Sequence, residues 1–110
     1  METLNFSNGI VKVGDIFASQ WGYEQTNVTF YQVISLHGKQ TVCVREIGAY
    51  SNYSSLKMTG TKKAKPGEFK GESLKRRVRT YSSVPCIEIE SFETAYLSEA
   101  EEVLEFTTYY

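Results

Sequence analysis

Val28-Thr29-Phe30-Tyr31-Gln32-Val33-Ile34-Ser35-Leu36, then His37-Gly38-Lys39, then Gln40-Thr41-Val42-Cys43-Val44-Arg45-Glu46-Ile47 is the stretch that decides the fold. Side chains of a strand alternate between its two faces, so Val28, Phe30 and Ile34 share one face and Tyr31 and Val33 the other. His37-Gly38 supplies a tight turn, and Val42, Cys43 and Val44 bring the chain back as an antiparallel partner. Both faces of this hairpin are apolar. That places it centrally in a closed or sandwiched sheet rather than at a wet edge.

Working outward, Ile10 to Ser19 reads as a strand broken by a turn at Gly14-Asp15, and Trp21 to Asn27 as a loop of aromatic and amide residues. Beyond the hairpin, Gly48 to Ser55 is rich in Ser, Asn and Tyr and reads as a loop, and Lys57-Met58-Thr59 as a short strand. Residues 60–71 hold three Gly, one Pro and four Lys with little apolar content, which predicts an exposed basic loop. Arg76 to Ser83 alternates Arg77, Arg79 and Tyr81 against Val78 and Thr80, a half-buried strand with a basic outer face. Pro85 ends it. Ile87 and Ile89 then alternate with Glu88 and Glu90. Ser98-Glu99-Ala100-Glu101 has the form of a capping box, so a short C-terminal helix carrying Ala100, Val103 and Leu104 on one face is compatible with the sequence.

The fold expected is a single β-rich domain over residues 1–110: a small, mainly antiparallel, partly closed barrel of the SH3-like or OB-like kind. The 110 residues suit one modest core, and 15 aromatics with 41% hydrophobic residues argue for a folded chain. No apolar run approaches the roughly 20 residues a membrane helix needs, and the N-terminal residues lack the basic start and apolar core of a signal peptide. A cytoplasmic protein is expected. Cys43 and Cys86 lie in strand patterns and fit reduced, buried thiols. Together with the lone His37 they lack the paired spacing of a zinc site, so no metal and no cofactor is expected.

The net charge of −1 hides two opposed blocks. Residues 57–79 carry nine Lys or Arg against two Glu, a balance of +7, and residues 80–110 carry seven Glu and no base, a balance of −7. Such polarity presents charge to a partner or folds one block onto the other.

The segments Val13-Gly14-Asp15-Ile16-Phe17, Trp21-Gly22-Tyr23-Glu24-Gln25-Thr26-Asn27 and Phe30-Tyr31-Gln32-Val33 resemble a family of small proteins encoded by bacteriophages and other bacterial mobile elements. The likeness is dense over residues 11–47 and returns weakly near Ser91-Phe92 and Ala95-Tyr96. Where family members carry a Trp-Asp-Gly-Lys turn after the Ala-Tyr pair, this chain has Leu97-Ser98-Glu99-Ala100-Glu101. The resemblance implies a phage or mobile-element origin and a cytosolic site of action in the host; it supplies no activity and no catalytic residues.

Two groups of candidate partner-binding residues emerge. Trp21, Tyr23, Gln25 and Asn27 combine stacking surface with amides that donate and accept, or else simply close one end of the barrel. Lys62, Lys63, Lys65, Lys75, Arg76, Arg77 and Arg79, with Tyr81, form the basic candidate, since Lys and Arg grip phosphate and Tyr stacks on bases. If Arg77 and Arg79 lie opposite Glu88 and Glu90, cross-strand pairing neutralises part of it. No nucleophile–base pair or glycine-rich phosphate loop is present. The expectation is a non-catalytic binding protein: an inhibitor of a host nucleic-acid-directed defence system, of the anti-CRISPR or anti-restriction type, acting by protein–protein contact on a host protein or nucleoprotein complex. The alternative is a nucleic-acid-binding accessory protein in phage replication or regulation.

Overall fold

The fold was obtained as a computed structural model, which describes residues 3–22, 26–54, 59–99 and 102–107. Nine strands account for it: β1 (Thr3–Phe6), β2 (Gly9–Lys12), β3 (Ile16–Trp21), β4 (Asn27–His37), β5 (Thr41–Ser54), β6 (Thr59–Arg79), β7 (Cys86–Glu90), β8 (Glu93–Ser98) and β9 (Val103–Thr107). Strands β3 to β8 pair in chain order, each antiparallel to the next, and β8 returns to β3. The result is a closed six-stranded up-and-down barrel, the mainly-β barrel that the alternation predicts. Closure removes the free edges of these strands.

The deciding hairpin forms as read, with His37 opposite Thr41 and Phe30 opposite Ile47. Its two apolar faces serve two cores. Tyr31, Val33, Val42 and Val44 point inward with Phe17, Val78, Ile87, Ile89 and Ala95. Leu4 and Val11 of the β1–β2 hairpin join this cluster. Val28, Phe30 and Ile47 face outward with Ile16, Ala18 and Ala64, and Leu104 and Phe106 of β9 pack against them.

That second core exists because β5 and β6 continue beyond the barrel. After Ile47, β5 leaves β4 and runs on to Ser54 paired only with β6, and β9 adds to the far side of β6 from Lys63 to Thr59. A 14-residue strand spans about 46 Å at 3.3 Å per residue, which matches the molecule's 47 Å long axis.

Four sequence expectations are corrected here. Gly48 to Ser54 is strand, not loop; its backbone groups find partners in residues 59–64, a ladder that local composition does not reveal. The basic stretch 60–71 is likewise within β6 rather than a free loop, although residues 66–71 are exposed as expected. Pro66, Gly67 and Gly71 are absorbed at register shifts: four residues, 65–68, lie between the partners of Ile47 and Ala49 and two, 71–72, between those of Glu46 and Arg45, and Gly67 and Gly71 take φ values of 85° and 65° there. The strand expected over 76–83 ends at Arg79, and Tyr81 lies in a bend. Val103 and Leu104 are in strand β9, not a helix, since alternation sends Leu104 and Phe106 onto the second core. No helix occurs among the described residues. Lys57, Met58, Ala100 and Glu101, which shared in the short-strand and capping-box readings, lie outside the described residues.

Candidate functional site

The candidate residues fall in three places. Trp21 and Asn27 face each other as the last pair of the β3–β4 hairpin. The Trp21 indole Nε1 donates to Thr29 Oγ1 at 3.1 Å, and its ring lies 5.6 Å from that of Phe92. An open cleft of about 370 Å³ adjoins it, lined by Gln20, Trp21, Gly22, Thr26 and Glu105. Tyr23 and Gln25 lie outside the described residues.

Lys62, Lys63 and Lys65 sit on the first half of β6, and Lys62 and Lys65 are engaged within the chain. Lys62 reaches Val28 O at 3.4 Å and lies over the Phe106 ring, so it is half-buried rather than an exposed loop lysine. Lys65 pairs with Glu68 at 3.6 Å and covers Tyr50.

The second half of β6 forms a basic wall. Alternation turns Val78 inward and Lys75, Arg77 and Arg79 outward. Arg79 pairs with Glu88 at 3.5 Å, so one of the anticipated cross-strand pairs exists. Lys75 and Arg77 have no carboxylate partner among the described residues. Lys39 is exposed in the adjoining turn, which is held against β6 by Val78 N donating to Gln40 O at 2.7 Å. Local charge clustering misses Lys39, because a tertiary contact delivers it.

Arg76 has a different task. Its Nε and Nη2 donate to Glu88 O and Ile89 O at 3.1 Å each. Strands β6 and β7 share only two residue pairs, Val78 with Ile87 and Arg79 with Cys86, so this guanidinium bridges the seam where they part. Tyr81, 65% exposed, lies two residues past Arg79, and interaction with the Cys86 thiol raises the phenol's pKa; the thiol itself donates to Arg79 O at 3.8 Å. Burial pushes the Cys86 thiol above its usual range, whereas Cys43 is only half-buried, short of the core position expected.

One polar group inside the barrel escaped the sequence reading. Glu93 is 6% exposed, and its Oε2 accepts from Ser19 Oγ at 2.5 Å and from Tyr31 OH at 2.7 Å. Burial, then the Glu93 hydrogen bond, then the charges of Glu93, Glu46 and Glu90 hold the Tyr31 phenol far above its ordinary range. The signal was available: inward Ala95 and Leu97 extend by period two to position 93.

No family model, curated protein or solved structure matches this chain. Among the described residues, no helix is long and apolar enough to cross a membrane, and no group of three or more His, Cys, Asp or Glu is placed to hold a metal ion.

Proposed function

We propose that this is a non-catalytic binding protein of a phage or mobile element that inhibits a host nucleic-acid-directed defence system, of the anti-CRISPR or anti-restriction type, by contact with a host protein or nucleoprotein complex in the cytoplasm. The observation that carries the binding role is the wall of Lys39, Lys75 and Arg77: three exposed cations without carboxylate partners among the described residues, on one strand and the turn held against it in the closed barrel. Cations at i and i+2 on one strand recur at about 6.6 Å, and fixed spacing favours an extended anionic surface over a small ligand. The interior is occupied by core side chains, so recognition falls to the outside. The choice of a host defence system as the target borrows its weight from the resemblance of residues 11–47 to phage and mobile-element proteins, which itself supplies no activity.

Direct nucleic-acid binding is the second reading, favoured by the exposed Tyr81 just past the end of the basic strand β6, since aromatic side chains combined with cations stack and hold bases. Capture from host lysate on the immobilised protein, with and without nuclease, separates the two. A protein partner that survives nuclease and is lost with Lys75→Gln/Arg77→Gln supports the inhibitor. Nucleic acid alone, with affinity falling steeply with salt, supports the second reading. Capture unchanged in the double variant removes the wall from both.

A further inference from the structure

A second basic feature lies apart from the wall, at the fork where β5 leaves β4. Pairing of β4 with β5 stops at Phe30 and Ile47, after which β5 continues with β6 alone. The fork encloses a cleft of about 220 Å³ whose polar lining includes Thr29, Glu46, Ser51, Lys62 and Lys70. Lys62 and Lys70 are eight residues apart, about 26 Å on an unbroken strand. The shifts of register that absorb residues 65–68 bring both to one cleft, opposite Ser51 and Glu46 respectively.

The charges in this cleft are unevenly matched. Lys70 meets Glu46 at 3.9 Å, a long contact between half-exposed groups. Lys62 is half-buried, has no carboxylate partner among the described residues, and donates to Val28 O at 3.4 Å. A partly desolvated ammonium without a counter-charge is costly, and an anion beside it removes that cost. Two ammonium groups against one carboxylate leave a net positive cleft.

We propose that this cleft binds a phosphate group, with the Lys62 and Lys70 ammonium groups as its cationic grips and the Ser51 hydroxyl on the same wall as Lys62. Phosphate fits better than a carboxylate, because it brings up to two negative charges and several acceptor oxygens to donors on different sides. Glu46 is the internal competitor: it holds Lys70 while the cleft is empty and repels the incoming anion. The site is independent of the Lys39, Lys75 and Arg77 wall, so either can fail alone.

Titration of the full chain with inorganic phosphate in a phosphate-free buffer, followed by amide shifts of Ser51, Lys62 and Lys70, tests this. Saturable shifts are expected in the wild type. Lys62→Gln should weaken them about tenfold, the loss of one charge-assisted contact, and Glu46→Gln should tighten binding several-fold. The Glu46→Gln arm stands even if Lys62→Gln unsettles the fold. A short single strand bearing a 5′-phosphate, set against its 5′-hydroxyl twin as competitor, finds the source. Displacement by the phosphorylated strand alone assigns the group to a nucleic-acid end; no displacement by either strand assigns it to a free phosphate compound. Absence of saturable shifts, equal displacement by both strands, or affinity unchanged in both protein variants overturns the proposal.

Discussion

At Tyr31 a phenol sits beside a buried carboxylate, and that pairing has consequences at two pH values. Removing the donor in Tyr31→Phe leaves Glu93 with Ser19 as its only remaining side-chain donor of the pair. Stability near neutral pH should fall by about 1–3 kcal/mol, the cost of an under-satisfied buried group. At alkaline pH that contribution is lost. The unfolded chain releases the phenolic proton near its ordinary pKa of 10.0, while the folded chain keeps it well above that value. The contribution from Tyr31 is therefore complete below pH 10 and is lost as pH rises beyond it, by at most about 1.4 kcal/mol per pH unit. The variant has no such proton, so the gap between wild-type and Tyr31→Phe urea midpoints should narrow as pH passes 10. A constant gap would show that Tyr31 does not keep its proton. Cysteine reactivity follows exposure in the same way: a thiol reagent should label half-buried Cys43 well before Cys86, which is fully covered. Equal rates would contradict that placement.

At the scale of strands, neighbouring arginines separate by role. Arg76→Gln loses two bonds to β7 carbonyls at a seam with little ladder of its own, and should cost about 1–3 kcal/mol in chemical denaturation. Arg77→Gln, on the outer face, should stay within about 0.5 kcal/mol. If the two variants unfold alike, Arg76 does not hold the seam. Gly60 is similarly decisive for β9: an added Cβ would stand 2.6 Å from Asn52 O and 2.5 Å from the Phe106 ring. Gly60→Ala should therefore destabilise by about 1–3 kcal/mol through overpacking, and a midpoint equal to wild type would show that β9 docks elsewhere. Period-two alternation made the barrel strands legible, from Val28 to Ile47 and again at Ile87 and Ile89. It could not show that Ser51 and Asn52 pair with Lys62 and Thr61, because a strand built from loop-like residues is held by its distant partner rather than by its own preferences. The same blindness hid half of the candidate surface. Lys75 and Arg77 were readable as an outward face, but the arrival of Lys39 beside them and the withdrawal of Arg76 into the seam are tertiary events.

Across the whole molecule, both faces of β3 and β4 are buried, one inside the barrel and one beneath the β5–β6 extension and β9. The opposed charge blocks meet along these same pairings. Glu88 reaches Arg79, the cation-rich first half of β6 lies beside β9, and the wall cations, without carboxylate partners among the described residues, remain at the far end of β6. Sharing two strands between two cores predicts a single cooperative transition, since loss of either core strips one face of the same strands. Phe30 is the side chain that reports on this. It is 1% exposed and lies in the outer core, close in sequence to Trp21, the only tryptophan. Phe30→Ala should lower stability by about 3–5 kcal/mol through the cavity it leaves. Unfolding followed by Trp21 fluorescence and by far-ultraviolet circular dichroism should shift together in the variant and remain coincident. Two separated transitions would mean that the extension melts away from a barrel still closed by the pairing of β8 with β3, and that the outer core is a docked layer rather than part of the same folding unit.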